Sequence, residues 1–158
     1  MGRLLTPGEI ELARTLYRDS LAYDAVRVHR RRYVWFQDDH ITIAPNGHIY
    51  AVALYRDDYS EADDRMRAHF MHEMAHVWQK QNRVLNPILS AIWLWIRHLG
   101  RYARAYRYEL DASKDLLDYG MEQQAAILED YFRGGREPAR LAVLARFLAD
   151  PEYPRAVD

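Results

Sequence analysis

The pentapeptide His72-Glu73-Met74-Ala75-His76 lies within a run of residues, 60 to 81, that contains neither glycine nor proline. The run predicts a helix, in which each residue turns by about 100°. The two histidines, four residues apart, then lie about 40° apart on one face of that helix. Two imidazoles so placed can share one Zn²⁺, and Glu73 beside them can take a proton from a metal-bound water.

The other residues of this run indicate which face of the helix carries the histidines. Ser60, with Asp63 three residues later, resembles a helix N-cap. His69 falls near the histidine face, and we interpret it as a pocket-lining or solvated side chain rather than a ligand. The apolar residues cluster on the side opposite His72, so a core face and a ligand face are separate: Met66, Phe70, Met74, Val77 and Trp78.

Length, charge and cysteine content restrict the class of protein. A chain of 158 residues predicts a single domain spanning 1–158. The net charge of −1 gives no electrostatic reason to expect nucleic-acid binding, and we interpret Arg30-Arg31-Arg32 as a solvated turn. The absence of cysteine excludes disulfides, cysteine-ligated zinc and thiol catalysis. Residues 1–12 lack an apolar stretch of signal-peptide length, which predicts a cytoplasmic protein that leaves the cell only by a specialised secretion route.

Before the histidine helix, the sequence predicts one helix and a small sheet. Thr6-Pro7-Gly8-Glu9 has the pattern of a capping box with proline at the first helical position, and the helix should run to about Asp19. Residues 23–29 and 32–37 have strand-like composition. Residues 41–44 and 48–52 flank Pro45-Asn46-Gly47 and predict a β-hairpin, with Gly47 in the left-handed conformation.

After the histidine helix, the sequence predicts further helices. Asn86-Pro87 begins one that ends near Leu99, and at about 13 residues it is too short to span a bilayer. We interpret it as a buried or partner-facing helix, in preference to one that contacts a membrane through Trp93 and Trp95. Two more helices are expected at 119–132 and 137–149, separated by two glycines. The fold class is therefore α+β, with a small N-terminal sheet followed by mostly helices.

A catalytic zinc usually has three protein ligands and one water, so a third ligand is needed. The metzincin pattern requires glycine at 79 and histidine at 82, and Gln79 and Asn82 exclude it. The remaining common solution is a carboxylate from a later helix. Glu122 is the preferred candidate because two alanines beside it would allow close approach to the histidine helix. The alternatives are Glu109, Asp111 and Glu129.

With H-E-x-x-H on one helix and a glutamate on a later one, the sequence resembles the gluzincin type of zinc metallopeptidase. The blocks 72–81 (HEMAHVWQKQ) and 106–132, which ends in EQQAAILEDYF, are similar to small bacterial proteins labelled Vgr-related or Rhs-related, which are associated with type VI secretion. The resemblance implies a compact zincin-like fold, Zn²⁺ bound by His72, His76 and Glu122, and a secretion-apparatus partner.

The sequence departs from the larger gluzincins at one position. In those proteins the ligand glutamate is often followed, four residues later, by a polar residue that contacts a metal ligand, and here that residue is Ala126. A hydrogen-bond partner for the ligand histidines must then come from elsewhere, with three candidates on or near the same helix: Asp118, Glu129 and Asp130.

These residues predict a zinc-dependent metallopeptidase that hydrolyses peptide or protein substrates. Glu73 would act as general base and then pass its proton to the leaving amine. Tyr119, one turn before Glu122, is the first candidate to stabilise the oxyanion, with Tyr106 and Tyr108 as alternatives. For each of these tyrosines, core packing with a bonded hydroxyl is the favoured interpretation. Two other functions stay open: a catalytically inactive zincin-fold adaptor or structural zinc protein of a secretion system, and an enzyme that hydrolyses peptidoglycan amides.

Overall fold

The computed structural model describes residues 1–84 and 107–156. The helix expected from Asn86 to Leu99, with Trp93 and Trp95, lies outside the described residues, as does Tyr106. Within the described ranges, no helix is long and apolar enough to cross a membrane.

The first helix begins where its sequence predicts. Strand β1 (Arg3–Leu4) leads into α1 (Pro7–Tyr17). Thr6 Oγ1 accepts a hydrogen bond from the backbone N–H of Glu9 at 3.0 Å, and the Glu9 carboxylate accepts one from Thr6 N–H at 2.9 Å. This reciprocal pair is a capping box, and it confirms the prediction. The helix ends two residues before Asp19, since Arg18 adopts a positive φ of 46°.

The sheet contains three short strands in the order β1-β2-β3, where β2 is Arg27–His29 and β3 is Ile49–Tyr50. Strand β1 runs antiparallel to β2, and β2 runs parallel to β3. Two parts of the strand prediction were wrong. Residues 23–25 form a 3₁₀ helix, and residues 32–37 form turns and bends rather than a strand.

The predicted hairpin is reduced to one antiparallel bridge, between Ile43 and Tyr50. Gly47 adopts a φ of +86°, as expected for its turn. The pairing does not extend to Ile41, because its backbone groups are already used: its N–H donates to Asp38 O at 3.1 Å, and its carbonyl accepts from Gln37 Nε2 at 2.8 Å. Hydrogen bonds within residues 37–41 therefore shorten the strand.

Helix α2 (Asp64–Gln81) carries the H-E-x-x-H pentapeptide. Its N-cap is Asp63, whose carboxylate accepts from Met66 N–H at 2.8 Å, while Ser60 lies in the preceding 3₁₀ helix Tyr59–Glu61. The predicted cap at Ser60 was therefore wrong by three residues. The apolar face of α2 is buried, with Phe70, Met74, Val77 and Trp78 at 1% exposure or less.

Three side-chain hydrogen bonds connect α2 and its C-cap to other parts of the fold. Tyr17 Oη of α1 donates to Met71 O at 2.7 Å, and Trp78 Nε1 donates to Pro151 O at 2.8 Å. At the end of the helix, Asn82 Nδ2 donates to Ser20 O at 3.1 Å. These bonds tie the helix to both the N-terminal and the C-terminal segments.

The described C-terminal part is helical. After a 3₁₀ helix at Leu116–Asp118 come α3 (Met121–Phe132), α4 (Pro138–Val143) and α5 (Ala145–Ala149). The single helix predicted at 137–149 is thus two short helices, with a break at Leu144. Helix α3 packs along α2, and its residues Ala125, Ile127 and Leu128 are fully buried. The protein is a small α+β domain, in agreement with the predicted fold class.

Candidate metal centre

The candidate ligands lie between α2 and α3. His72 and His76 are one turn apart on α2, and Glu122 is in the first turn of α3. The exposed fractions of these three residues are 3%, 1% and 5%, and that of Glu73 is 1%. The sequence predicted a histidine face distinct from the core face. The structure adds that α3 covers the histidine face. The pentapeptide is therefore as buried as the apolar side of the helix.

Both imidazoles point at the same carboxylate. Nε2 of His72 lies 3.2 Å from Oε2 of Glu122, and Nε2 of His76 lies 3.2 Å from its Oε1. The two rings are 5.1 Å apart and nearly perpendicular, at 77°. One ligand atom from each of the three residues lies within 4.8 Å of the others. Two imidazole nitrogens and one carboxylate oxygen form a donor set that suits Zn²⁺.

The ring nitrogens that face away from Glu122 also have partners. Nδ1 of His72 lies 3.0 Å from Oε2 of Glu129 on α3, and Nδ1 of His76 lies 2.9 Å from Oε1 of Gln79 on α2. Glu129 is one of the three candidates named from the sequence for this role. Such outer partners fix the orientation and tautomer of ligand histidines. The pattern is the one expected of a metal site rather than of isolated core histidines.

The two carboxylates change the protonation of His72. Burial alone would lower the pKa of His72, but its bonds to Glu122 and Glu129 outweigh that effect and raise the pKa to about 9. Burial would likewise raise the pKa of Glu129, but the bond to His72 and the nearby Arg133 lower it. In the metal-free protein, this raised pKa favours the protonated form of His72. A metal ion at Nε2 would replace its proton there.

His69 lies one turn before His72 on α2. Its Nε2 is 2.8 Å from Oγ1 of Thr42, which belongs to the segment that follows the sheet's second strand. His69 is half-buried, whereas Thr42 is buried. The contact links the segment containing the Ile43 bridge to the helix that carries the candidate ligands. His69 is not one of the three residues of the cluster, and its pocket-lining role stays a prediction.

The structure does not bring the other sequence candidates into the cluster. Glu109 and Asp111 are exposed. The hydroxyl of Tyr119 donates to Glu109 O at 2.8 Å and accepts from Asp111 N–H at 3.0 Å. The hydroxyl of Tyr108 donates to Asp130 and accepts from Arg140 Nη1 at 2.8 Å. These bonds give no geometric support to either tyrosine as an oxyanion donor, so that role stays a prediction.

Sequence reasoning missed two buried glutamines beside the site, Gln79 and Gln124. Gln79 follows His76 by three residues, which puts both side chains on one face of α2, so a polar residue at this spacing was a usable signal. Gln124 gave no such signal. Its contact with Gln79, at 3.0 Å between Gln124 Oε1 and Gln79 Nε2, depends on how α2 and α3 pack.

Comparison with known proteins found one curated relative and one solved structure with clear similarity. The chain is 38% identical over 148 residues to the type VI secretion system spike protein VgrG2b of Pseudomonas aeruginosa strain PAO1. That match covers 92% of this chain but spans only 14% of the spike protein. The chain also superposes on the solved effector domain of Pseudomonas aeruginosa VgrG2b with a TM-score of 0.75 and 35% identity, covering 94% of this chain and 83% of that domain. No protein-family profile matches the chain.

Proposed function

The chain belongs to the family of the VgrG2b effector domain, and from this membership and the geometry of its buried site we propose that it is a zinc-dependent metallopeptidase acting as a type VI secretion effector. The relationship agrees with the Vgr-related, type VI-associated character expected from the sequence. The enzymatic part of the proposal rests on the site itself.

One observation carries the proposal: two imidazoles one helical turn apart converge on a single buried carboxylate from another helix. The distances from Nε2 of His72 and His76 to Glu122 are both 3.2 Å. Burying a carboxylate among histidines is costly unless the charge is compensated. A divalent cation would compensate it, and the donor set of two nitrogens and one oxygen favours zinc.

When bound by these three residues, Zn²⁺ would supply Lewis acidity at the reacting carbonyl and at the attacking water. We propose Glu73 as the residue that moves the proton. It follows His72 directly in the sequence and is 1% exposed. It would accept a proton from the attacking water as the new C–O bond forms, and return it to the nitrogen as the C–N bond breaks. Peptide hydrolysis needs no other reactant.

The surrounding residues support this chemistry by restricting motion. Glu129 and Gln79 hold the outer nitrogens of His72 and His76, so the inner nitrogens stay directed at the metal position. Burial of the cluster strengthens charge interactions, because less water screens them. A site formed by two packed helices is also more rigid than one formed by loops.

The proposed route of delivery follows from the relatives. Because the solved relative is the effector domain of a spike protein, we propose that this chain reaches its substrate through a type VI secretion apparatus and contacts that apparatus during export. The chain matches 14% of the spike, so the activity and partners of the whole spike are not assigned to it. The proposed substrate class is peptide or protein, without a defined sequence preference.

The proposal is tested by metal analysis and a broad peptide-library cleavage assay on the purified protein. We expect about one zinc ion per chain and cleavage that a chelator abolishes. Glu73→Gln should keep zinc but reduce cleavage by about 10²-fold or more. Glu61→Gln, at an exposed position before α2, is the matched control and should behave as wild type. A protein that binds zinc but cleaves neither peptides nor peptidoglycan would favour an adaptor instead.

A further inference from the structure

Two glutamines form a continuous chain of hydrogen bonds from the backbone of α3 to the candidate ligand His76. Gln79 Oε1 lies 2.9 Å from His76 Nδ1, and Gln79 Nε2 lies 2.8 Å from Met121 O and 3.0 Å from Gln124 Oε1. Gln124 Nε2 lies 2.9 Å from Tyr119 O. Gln79 is fully buried and Gln124 is 4% exposed, so bulk water does not compete for these groups.

The donor and the acceptor in each of these hydrogen bonds can be assigned by starting from the backbone carbonyl of Tyr119. A carbonyl oxygen can only accept, so the group of Gln124 that faces Tyr119 O must be its NH₂. The oxygen of Gln124 then faces Gln79. Gln79 must present its own NH₂ to that oxygen and to Met121 O, because both of these atoms are acceptors. A flipped Gln79 amide would place its oxygen against two other oxygens.

The orientation of Gln79 in turn determines where the proton of His76 lies. With its NH₂ group engaged by two acceptors, Gln79 directs its Oε1 at His76 Nδ1. An amide oxygen only accepts, so Nδ1 must carry the hydrogen. In the neutral Nδ1–H tautomer, Nε2 is the nitrogen without a hydrogen, and it faces the cluster, 3.2 Å from Oε1 of Glu122. That is the tautomer required for metal binding through Nε2.

We propose that Gln79, held in one orientation by Gln124, is a positioning residue that fixes His76 as its Nδ1–H tautomer and so prepares Nε2 for the metal. The proposal rests on the proposed function only in taking His76 as a ligand. Without Gln79, the ring would be free to carry its proton on Nε2, where it would block the metal. The hydrogen bonds of these two glutamines also join α2 to the first turn of α3, which carries Glu122.

The two ligand histidines are thus oriented by different chemistry. Nδ1 of His72 faces the carboxylate of Glu129, whereas Nδ1 of His76 faces a neutral amide. Glu73, Glu122 and Glu129 already place three carboxyl groups in and around the cluster. A fourth beside His76 would add repulsion in a buried site, since like charges oppose each other's ionisation. A neutral glutamine orients the His76 ring without adding this repulsion.

The test determines directly whether Nδ1 of His76 carries a hydrogen in the chelator-treated protein, by long-range ¹H–¹⁵N NMR. We expect the Nδ1–H form in the wild type. Gln79→Leu should shift the ring toward the Nε2–H form and weaken zinc binding, measured by chelator competition, by roughly 10- to 100-fold. Gln79→Glu keeps an acceptor for Nδ1, so it should keep the Nδ1–H tautomer even where it loosens the helix contact.

A matched control lies on the same helix as Gln79. Gln81→Leu removes a glutamine that bonds Ala22 rather than His76 or Gln124, so it should keep the wild-type tautomer and zinc affinity. Gln124→Leu should weaken zinc binding more than Gln81→Leu and less than Gln79→Leu, because Met121 O still orients Gln79.

Two results would overturn the proposal: an Nε2–H tautomer in the wild type, or an unchanged tautomer and zinc affinity in Gln79→Leu. If Gln79→Leu does not fold, the NMR spectrum of the wild type and the zinc affinity of Gln124→Leu still test the proposal. A protein that binds no zinc would contradict the proposed function alone, since the tautomer is measured without metal.

Discussion

Oε2 of Glu129 lies 3.0 Å from Nδ1 of His72, although Glu129 follows the candidate ligand Glu122 by seven residues rather than four. Two helical turns separate these glutamates, and such a spacing returns to nearly the same face of a helix. Glu122 therefore reaches the inner nitrogen of His72 while Glu129 reaches the outer one. The alanine at 126, between them, leaves room for α3 to approach α2.

Removing the charge of Glu129 should weaken zinc binding without unfolding the protein. We expect Glu129→Gln to reduce zinc affinity by roughly 10- to 100-fold, because the neutral amide makes His72 a weaker donor. Chelator competition measures the affinity, and circular dichroism checks the fold. Glu152→Gln, at an exposed position far along the chain, is the control. Equal zinc affinity in the two variants would show that Glu129 does not act on the metal site.

The metal-free protein should lose stability at alkaline pH. The carboxylates of Glu122 and Glu129 raise the pKa of His72 from 6.5 to about 9 despite its burial. A pKa raised by folding means that the protonated imidazole stabilises the folded state; this contribution is fully present below about pH 6.5 and is lost as the pH rises through about 9. Denaturant unfolding with a chelator present, repeated across this range, measures the effect.

Glu129→Gln provides the control for this pH dependence. Glu129 is one of the two carboxylates that raise the pKa of His72. Removing its charge should therefore shift the loss of stability to lower pH. A stability that is constant between about pH 6.5 and 9 in the metal-free wild type would contradict the predicted ionisation of His72.

Glu122 should be the carboxylate on which metal binding depends. Glu122→Ala removes the oxygens that lie 3.2 Å from both imidazoles and should lower the zinc content of the purified protein well below one ion per chain. Glu109→Ala, the alternative named from the sequence, is exposed and should retain full zinc. Elemental analysis of the two variants side by side decides between them, and zinc loss in Glu109→Ala alone would reverse the assignment.

Within the described residues, local sequence signals predicted the helices better than the strands. The capping box at Thr6 and Glu9 and the left-handed turn at Gly47 depend on neighbours in sequence, and the structure confirms both. The strand expected at 32–37 and the full hairpin failed for a different reason. Gln37 bonds Ile41 O and Tyr50 O, and no local pattern shows that a side chain will occupy those carbonyls.

In the candidate site, too, some features could be predicted from the local sequence and others depend on how the helices pack. The spacing of His72 and His76 follows from the period of one helix, and the small residues at 125 and 126 indicated which later helix approaches it. The partners of the outer nitrogens depend on how α2 and α3 pack. Glu129 was one of several candidates for that reason, and Gln124 was missed. The bonds of the Tyr119 hydroxyl to the loop backbone also could not be foreseen from its place in the sequence.

A larger residue at the contact between α2 and α3 should damage both stability and metal binding. Ala125 is fully buried on the face of α3 that packs along α2. Ala125→Leu adds volume to a packed interior, which typically costs about 1–3 kcal/mol and shifts the backbone. Because Glu122 is one turn earlier on the same helix, a displaced α3 would also lengthen the distances to His72 and His76. We therefore expect a lower free energy of unfolding together with weaker zinc binding.

Ala142→Leu is the matched control, since it makes the same change at an exposed position of α4 and should alter the free energy of unfolding by no more than about 0.5 kcal/mol. Denaturant unfolding of the metal-free proteins separates the packing effect from metal loss, and chelator competition then measures zinc affinity. If Ala125→Leu were destabilised but bound zinc as tightly as Ala142→Leu, the close approach of α3 would matter for the fold alone, and the position of Glu122 would not depend on it.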